Sequence, residues 1–503
     1  MNKGVSGGQY RPLSEEQVET IHSASLMILE ETGFTFEAGL EGTVELLERA
    51  GVRVDRNRSR VFFPRDLVLE QVGKAPDKFV LYSRNGKNDL ALGEDRVYLG
   101  TGGAALKVLD LETGYPRPST LVDLYHFGQL VDQLENVHFF LRPCVPTVVP
   151  ESFRDVNIAY ACFQSTSKHV MVGVNDESGL LQVLDLASEV AGNMKMLQEK
   201  PFLSIVSCFA VSPLRFCTIP LRIAQEAGRH GIPVALSTAP LAGSTSPITL
   251  AGTLALAHAE ELAGITVCQL TNPGAPVLYG ALPETANLYT MGFQGGSVES
   301  AMMNAAAHQM ARRIRVPNYA NSGHSDSKVP DAQAAWETAM STVLASMGGC
   351  NYIHHAAGML ESSMTVSFEH FVMNDEIIGR ALRVLKGIEV DPEHLAQEVI
   401  REVGPGGNFM TSPHTIAHLR TEFFPGNGVT DANPRPKWEA GGSMDSRDRG
   451  REIAKRLIAR AKTSHLPEEA DRAIRNKYQI FLYNPLNEDF QELHKAWSRY
   501  RMN

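Results

Sequence analysis

From residue 96 onward, short runs of β-branched and aromatic residues alternate with longer helical patterns, and this alternation constrains the fold more than any other feature. Strands that alternate with helices form a parallel sheet, and eight repeats over about 270 residues match the size of an α/β protein of the (β/α)₈ TIM-barrel type. A doubly wound open sheet is the alternative. The predicted strands are residues 96–104, 137–146, 169–174, 202–209, 233–240, 276–282, 317–323 and 351–358.

The barrel is predicted to carry additions at both ends. Residues 1–94 contain helical patterns and short strand patterns, with Ser14 as a helix N-cap and Gly33 as a helix stop. Residues 376–503 are helical and polar, with a loop-rich stretch at 412–442. The predicted domains are therefore an N-terminal helical cap with a small sheet (1–94), the barrel (95–375) and a C-terminal helical extension (376–503).

Charge and apolar patterning exclude several functional classes. The formal net charge of −10 argues against general nucleic-acid binding, because no basic excess is available to neutralise phosphates. No uncharged apolar run approaches the roughly 20 residues that span a bilayer, and the N-terminal residues lack the apolar core of a signal peptide. The six cysteines are scattered without a CxxC pair, which favours reduced thiols. We expect a cytoplasmic protein that binds neither nucleic acid nor membrane.

In a barrel of this kind the active site lies at the carboxyl ends of the strands. The residues that follow the predicted strands are mostly Gly, Ala, Ser, Thr and Pro, which leave room for a ligand. The few charged or imidazole groups there are Arg142, His324, Asp326, His354, His355 and Glu361. The aromatic residues at or near the strand ends are Tyr98, Phe140, Phe209, Tyr279, Tyr319 and Phe368.

Each of these residues also has a purely structural interpretation. Neighbouring side chains on a strand point to opposite sides, so we expect one of His354 and His355 to face the helices and the other, His355 by preference, to face the barrel mouth. Asp326 is equally suited to cap the helix that follows it, and Arg142 to form a structural ion pair. A single aromatic residue is more often part of a core than of a ligand cage.

The stretch GTGGAA, residues 100–105, matches the dinucleotide-binding pattern G-x-G-x-x-A. That pattern requires a helix directly after it, but the next residues indicate a strand and a turn. A tight turn or a close approach of the backbone is the better interpretation.

A zinc site is the sharpest alternative for the polar groups. His324, Asp326, His355 and Cys350 have suitable ligand types, and the first three would make the protein a barrel metallohydrolase. However, the sequence lacks the early H-x-H motif of such enzymes. It also lacks the His-x-Cys with a downstream Cys that is typical of zinc-thiolate methyl transfer. We therefore predict no metal ligands.

Four longer stretches resemble the trimethylamine methyltransferase superfamily. They are YLGTGGAALKVLDLETGYPRPSTLVDL, GHSDSKVPDAQAAWE, YIHHAAGMLESSMTVSFEHFVMNDEIIG and NPRPKWEAGG, and the likeness extends from about residue 10 to 490. The resemblance implies a (β/α)₈ barrel that moves a methyl group from a tertiary or quaternary amine to the Co(I) of a separate corrinoid protein. Because the chain shows no pyrrolysine, it resembles the branch without that residue, whose substrates include glycine betaine and related betaines.

The implied chemistry suggests roles for the candidate residues. A quaternary ammonium has no lone pair to protonate, so the protein has to hold the cation, exclude water and aim one methyl group at the cobalt. Aromatic faces bind such a cation, and a guanidinium or imidazole binds a betaine carboxylate. We assign Tyr98, Tyr279 and Phe368 to an aromatic cage, Arg142 and His355 to the carboxylate, and His324, Asp326 and Glu361 to the polarity of the mouth, with Asp326 or Glu361 also stabilising the ammonium.

The resemblance also has consequences for cofactors and partners. The D-x-H-x-x-G motif of cobalamin domains is missing, so we expect no cofactor on this chain and a corrinoid carried by a partner protein. A barrel metallohydrolase and a non-catalytic betaine-binding protein remain as alternative functions. The long helical additions are compatible with a homo-oligomer.

Overall fold

Eight parallel strands form the centre of the computed structural model, which describes residues 4–482. The strands pair in two continuous ladders, one from the second to the sixth and one from the seventh through the eighth to the first. Parallel bridges between Gly100 and Phe139 and between Tyr279 and Asn318 join the two ladders at both seams, so the ring closes. The strands are β1 (Arg96–Leu99), β2 (Phe140–Leu141), β3 (Val170–Val172), β4 (Leu203–Ser207), β5 (Val234–Thr238), β6 (Val277–Ala281), β7 (Tyr319–Asn321) and β8 (Tyr352–His354).

A helix follows each strand and packs outside the ring, so the prediction of a (β/α)₈ barrel is confirmed. All eight strands lie within the segments predicted from the sequence. Among the described residues, no helix is long and apolar enough to cross a bilayer. The helices are α1 (Leu121–Gln133), α2 (Glu151–Ser165), α3 (Glu177–Ala191), α4 (Thr218–Arg229), α5 (Leu250–Thr271), α6 (Val298–Arg313), α7 (Ala332–Gly348) and α8 (Phe368–Lys386), and a short helix, Met194–Glu199, follows α3.

The interior of the barrel is filled from below by a hairpin of the N-terminal region. Its strands, Phe79–Leu81 and Leu90–Leu92, pack against the inward-facing side chains of the ring. The loop of the hairpin hydrogen-bonds to residues that precede β3 and β4, because Arg84 N donates to Ser167 O and Tyr82 N to Pro201 O. The hairpin therefore closes the N-terminal end of the barrel and leaves the C-terminal end as the opening.

The rest of the N-terminal region consists of helices and a small sheet. Its first helix, Glu15–Met27, begins with a capping box at Ser14, continues as a π-helix over Ile28–Thr32 and ends at Gly33 with φ +68°. The small sheet also recruits a hairpin from the loop after β4, which the sequence did not indicate. The remaining elements are helices Glu41–Arg49 and Arg65–Val72, strand Val5–Ser6 beside β1, and the sheet strands Phe34–Thr35, Arg53–Asp55, Arg60–Phe62, Ala210–Val211 and Arg215–Phe216.

Short strands in the loops after the barrel strands build up the rim of the opening. The loops after β1 and β8 share one sheet, and those after β5 and β6 share another. The first sheet contains Lys107–Leu109, Pro116–Pro118, Met359–Leu360 and Thr365–Ser367, and the second contains Leu241–Ala242, Glu284–Ala286 and Phe293–Gln294.

The C-terminal extension packs on the barrel through α8. At the start of α8, Glu369 is fully buried and lies 3.6 Å from Arg447 and 3.3 Å from Arg451 of helix Ser446–Ala459. Because α8 runs on to Lys386, the domain boundary predicted at residue 375 falls inside this helix. The helices of the extension are Pro392–Leu395, Gln397–Val403, Pro413–His418, Arg435–Ala440, Ser446–Ala459 and Glu468–Lys477.

Candidate active site

The two adjacent histidines at the end of β8 both contribute to the barrel mouth. His354 is the last residue of the strand and faces inward, where its ring stacks on Tyr319 with the centroids 4.0 Å apart. His355 leaves the strand with φ +58°, in the left-handed region, so its ring lies beside that of His354, with a centroid separation of 4.0 Å. The expectation that the two rings point to opposite sides is therefore wrong, because the extended backbone that it requires ends at His354.

A continuous stack of aromatic rings lines one side of the barrel interior. Successive centroids are 5.4, 4.2, 4.0, 4.0, 5.8 and 3.6 Å apart. The stack runs from the rim loop down to the closed end, so its upper rings offer faces and edges to a ligand in the mouth. From rim to base the rings are Phe293, His324, His355, His354, Tyr319, Tyr352 and Phe139.

The amide of Asn321, the last residue of β7, fixes the tautomers of two of these histidines. Its amino group donates to the carboxyl group of Glu284 and, over 3.0 Å, to Nδ1 of His324. Its carbonyl oxygen therefore faces His355 and accepts from Nδ1 of that ring at 3.1 Å. Nε2 of His355 is consequently an acceptor, whereas Nε2 of His324 carries a proton.

The tautomer of the third histidine, His354, is also set by a hydrogen bond. His354 Nδ1 donates to the carbonyl oxygen of Ala320 over 2.6 Å, so its Nε2 is also an acceptor. The Nε2 atom of His324 is buried and has no partner among the described residues. The wall therefore presents two acceptor nitrogens and one unpaired donor.

Burial keeps the three imidazoles uncharged. It lowers the pKa of His354 to about 3 and that of His324 to about 4, and it lowers the pKa of His355 well below the usual value. Burial also raises the pKa of Glu284 to about 8, which favours the neutral carboxyl group at pH 7. The wall is thus polar but almost free of formal charge.

Glycines of the GTGGAA stretch make room for this wall. A methyl group added at Gly102 would lie 3.0 Å from the His354 ring and 3.1 Å from His355 N. One added at Gly103 would lie 3.3 Å from Nε2 of His355, and Gly103 also has φ +124°. The close approach of the backbone predicted for this stretch is present, and a strand, Lys107–Leu109, follows it instead of the helix that a dinucleotide site requires.

Arg142 supplies the positive charge of the mouth. Its Nη1 atom lies 3.5 Å from the carbonyl oxygen of Gly103, and its Nε atom is buried without a hydrogen-bond partner among the described residues. Burial lowers the pKa of Arg142, although a guanidinium stays charged at neutral pH. The structural ion pair considered for this residue is not formed with any described carboxylate. The Asp155 carboxyl group lies within electrostatic range of Arg142 but forms no ion pair with it, so the guanidinium remains available to an anionic ligand group.

Two further side chains interact electrostatically with Arg142. Burial raises the pKa of Tyr319 well above its usual value, and the nearby guanidinium of Arg142 opposes this rise. The same guanidinium opposes the rise in the pKa of Cys208, which is exposed at the end of β4. Arg142 is therefore an electrostatic neighbour of Tyr319, which belongs to the ring series, and of Cys208.

The carboxylates of Asp326 and Glu361 bind to loop residues and do not line the space beside the aromatic rings. The carboxylate of Asp326 accepts hydrogen bonds from Gly295 N at 2.9 Å and from the hydroxyl of Ser362 at 2.6 Å. The cap of α7 is Asp331, so the alternative role predicted for Asp326 as a helix cap is wrong. Glu361 accepts from Thr365 at 2.5 Å and lies 4.0 Å from Lys107, and it is partly exposed.

The three residues assigned to the aromatic cage are not brought together. Tyr98 faces the closed end of the barrel, where its hydroxyl accepts from Ala91 N at 3.1 Å. Tyr279 points outward to α5, and its hydroxyl lies 3.0 Å from Nδ1 of His258. Phe368 stacks on Phe127 between α8 and α1, with the centroids 3.9 Å apart. The assignment failed because chain position near a strand end does not specify which side of the strand a residue faces.

The ligand set proposed for a metallohydrolase does not converge either. Both carboxylate oxygens of Asp326 are occupied by the loops, with Gly296 N 3.3 Å from Oδ2. Among residues 4–482, the group with metal-ligand geometry is Glu389, Asp391 and His394, outside the barrel. The mouth is therefore organised around a guanidinium and neutral rings.

Comparison with known proteins assigns the chain to a family. A family model described as trimethylamine methyltransferase matches residues 4–479. The chain is 34% identical to a trimethylamine methyltransferase of Desulfitobacterium hafniense (strain DSM 10664 / DCB-2), over 94% of each chain. The chain belongs to the trimethylamine methyltransferase family. The resemblance inferred from the four sequence stretches is thereby confirmed, and the protein is a methyltransferase.

Two further relatives of this methyltransferase differ in the substrate that their names give. A glycine betaine methyltransferase of Desulfitobacterium hafniense (strain Y51) is 32% identical over 94% of this chain and 97% of the relative. A trimethylamine methyltransferase of Methanosarcina barkeri (strain Fusaro / DSM 804) is 30% identical over 88% of this chain and 89% of the relative. Family membership therefore does not specify which amine is the substrate.

The sequence analysis did not identify several residues that lie at the barrel mouth of this methyltransferase. It named Arg142, His324 and His355 as candidates, but it did not name Asn321, Glu284 or Phe293. A usable signal existed for Asn321, because it stands two residues after Tyr319 and so shares the inward face of β7. Glu284 and Phe293 lie on rim strands after β6, and no local pattern ties those strands to β7 and β8.

Proposed function

We propose that this methyltransferase transfers a methyl group from glycine betaine or a closely related betaine to the Co(I) of a separate corrinoid protein. The observation that carries the proposal is the Arg142 guanidinium, half-buried at the barrel mouth without a carboxylate partner among the described residues. Trimethylamine has no anionic group to match such a cation, whereas a betaine carries a carboxylate. A bidentate guanidinium–carboxylate contact would fix the orientation of the substrate.

The wall opposite Arg142 suits the other end of a betaine. His354 and His355 offer acceptor nitrogens, and the partly exposed rings of His355 and Phe293 offer an aromatic surface, towards which the polarised methyl groups of a quaternary ammonium are attracted. In this tautomer His355 has no proton to give a carboxylate, so we place the ammonium, not the carboxylate, beside it. The contacts through Gly103 limit the separation of Arg142 Nη1 and His355 Nε2 to roughly 10 Å, a span that a short betaine can bridge.

The reaction requires no general acid or base from the protein. The corrinoid would supply the electron pair of the new cobalt–carbon bond. The C–N bond breaks with its own electron pair on nitrogen, which leaves as a neutral tertiary amine and needs no proton. The residues of this chain therefore act by orientation and by exclusion of water: Arg142 holds the carboxylate, and the rings replace the hydration shell of the cation.

The rim fits a large partner that delivers the corrinoid. Apolar side chains on several loops at the opening are exposed, and Tyr289 is 97% exposed at the tip of the loop after β6. Such side chains at an active-site rim favour a protein or macrocycle surface. The others are Leu106, Val148, Val211, Ile248, Leu288, Met291 and Met364.

We also propose the cytoplasm as the location. Co(I) persists only under strongly reducing conditions, and all six cysteines of the chain are free thiols.

The test is a methyl-transfer assay with a reduced corrinoid protein or free cob(I)alamin and a panel of glycine betaine, proline betaine, carnitine and trimethylamine. We expect loss of the Co(I) absorbance with a betaine and release of the corresponding tertiary amine, identified by mass spectrometry. Turnover with trimethylamine alone would contradict the role of Arg142. Betaine binding without methyl transfer to any Co(I) acceptor would instead support a binding protein.

A further inference from the structure

The guanidinium of Arg142 lies between two glycines at the rim of the barrel. Its Nη1 atom is 3.5 Å from the carbonyl oxygen of Gly103, in the loop after β1. On the other side, a methyl group added at Gly173, the first residue after β3, would lie 3.1 Å from Nη2. The guanidinium therefore extends along the rim from one glycine towards the other.

Nη2 is the nitrogen of Arg142 that remains available to a ligand. Nε is buried, and Nη1 faces the carbonyl oxygen of Gly103. Nη2 has no hydrogen-bond partner among residues 4–482 and, unlike Nε, it is not a buried atom. A carboxylate bound by this guanidinium would therefore accept from Nη2, directly beside Gly173.

The backbone conformation at Gly173 does not require a glycine. Its φ lies outside the positive region in which a residue with a Cβ atom is strained. Two atoms of Val206 would lie 3.6 and 3.7 Å from an added methyl group, which are ordinary contact distances. The tight contact that a side chain would make here is therefore the one with Nη2 of Arg142.

We propose that Gly173 is a positioning residue that makes this methyltransferase specific for amines that carry a carboxylate. Because it has no side chain, it leaves Nη2 of Arg142 open to the carboxylate of the substrate. The pairing of Val172 with Ile205 of β4 holds the backbone in place, so a Cβ atom at position 173 would displace the guanidinium or cover Nη2. The inference rests on the proposed function, in which Arg142 binds the carboxylate.

The competing explanation is that Gly173 makes room for the substrate itself or for the packing of the strands. A role of that kind would not depend on Arg142, whereas the proposed role acts through its guanidinium alone. Two substitutions that remove the same interaction are not additive, so the two explanations differ once Arg142 has been replaced.

The test uses the full chain, with methyl transfer from glycine betaine to free cob(I)alamin and betaine binding by isothermal titration calorimetry as readouts. We expect Gly173→Ala to raise both KM and Kd for glycine betaine about tenfold. It should leave kcat nearly unchanged, because the carboxylate contact is the same in the ground state and the transition state. In the Arg142→Ala background, the same substitution should change neither constant further.

Gly173→Asp is the stronger variant, because it places a carboxylate within contact distance of Nη2. This carboxylate would pair with Arg142 and repel that of the substrate, so the affinity for glycine betaine should fall about 100-fold. Gly42→Asp is the matched control, since it adds the same charge where nothing lies within 4 Å, and it should bind as the wild type does. Circular dichroism of each variant establishes that it is folded.

Two results would overturn the inference: Gly173→Ala binds glycine betaine as tightly as the wild type, or it weakens binding equally with and without Arg142. In either case, betaine turnover by the wild type and its loss in Arg142→Ala would still support the proposed function. A wild type that neither binds a betaine nor removes its methyl group would overturn both.

Discussion

Glu284 and His355 are joined through a single amide: Asn321 donates to the carboxyl group of the first and accepts from Nδ1 of the second. The carboxyl group thereby helps to determine which nitrogen of His355 carries the proton, although it has no hydrogen bond to that ring. A buried group beyond the ring stack thus sets the polarity of the wall.

Replacing Glu284 with glutamine should change how stability depends on pH. Burial raises the folded-state pKa of Glu284 to about 8 from an ordinary value near 4.5. The wild type is therefore stabilised fully below pH 4.5 and loses that contribution as the pH rises to 8. A glutamine at this position cannot ionise, so relative to wild type the variant should gain a few kcal/mol between pH 5 and pH 8.

Urea unfolding at pH 5 and pH 8 measures this difference. Glu468→Gln is the control, since Glu468 is exposed in its pair with Arg472 and should show no such gain. An identical pH dependence of wild type and Glu284→Gln would mean that Glu284 ionises normally.

The mouth histidines should make the protein sensitive to acid. The folded-state pKa of His354 is about 3 and that of His324 about 4, below the ordinary 6.5. Their contribution to stability is present above pH 6.5 and is lost as the pH falls towards 3. Between pH 7 and pH 4, the free energy of unfolding of His354→Gln should fall by roughly 3 kcal/mol less than that of wild type, as measured by urea unfolding. If the stability of His354→Gln decreased with falling pH as steeply as that of wild type, this would contradict the burial of a neutral His354 ring.

Arg142 should discriminate between substrates. Removing a charged hydrogen-bond donor costs about 1.5–3 kcal/mol, so Arg142→Ala should raise KM for glycine betaine about 10–100-fold. Arg142→Lys should recover part of this loss, because it restores the charge but not the bidentate fork. Activity towards trimethylamine, if any is detected, should be little changed. Equal losses for both amines would assign Arg142 a structural role.

Gly102 should not tolerate a side chain. An alanine methyl group would lie 3.0 Å from Cδ2 of His354, and that ring is held between Tyr319 and His355, so it has little room to move. We expect Gly102→Ala to lower kcat/KM at least tenfold while the protein remains folded. Gly42→Ala is the matched control, since an added methyl group there meets nothing within 4 Å. Full activity of Gly102→Ala would show that the rings do not bind the substrate.

The barrel could be predicted from the sequence because its signal is local and repeated. Every strand segment contains β-branched or aromatic residues, and GTGGAA could be separated from a dinucleotide site by the strand that follows it. The side of the strand that each residue faces was harder to infer. In β6, Leu278 faces the interior and Tyr279 the helices, and only the packing of the whole ring determines that alternation.

The arrangement of the histidines could not be predicted for a different reason. A non-glycine residue with positive φ is rare, and no neighbouring residue signals that His355 adopts this conformation. The geometry is also unfavourable in itself, since a left-handed non-glycine residue costs about 1–3 kcal/mol. His355 is thus a position where local preference and the requirements of the site disagree.

Among the described residues, the hairpin that fills the base of the barrel closes that end, so the site opens at the mouth. Under the proposed function, the small amine and the large corrinoid protein must both use it, and the partner would cover the opening through which the amine arrives. The kinetics are then those of a compulsory order, with the amine bound first, and an excess of corrinoid protein should inhibit turnover at low amine concentration.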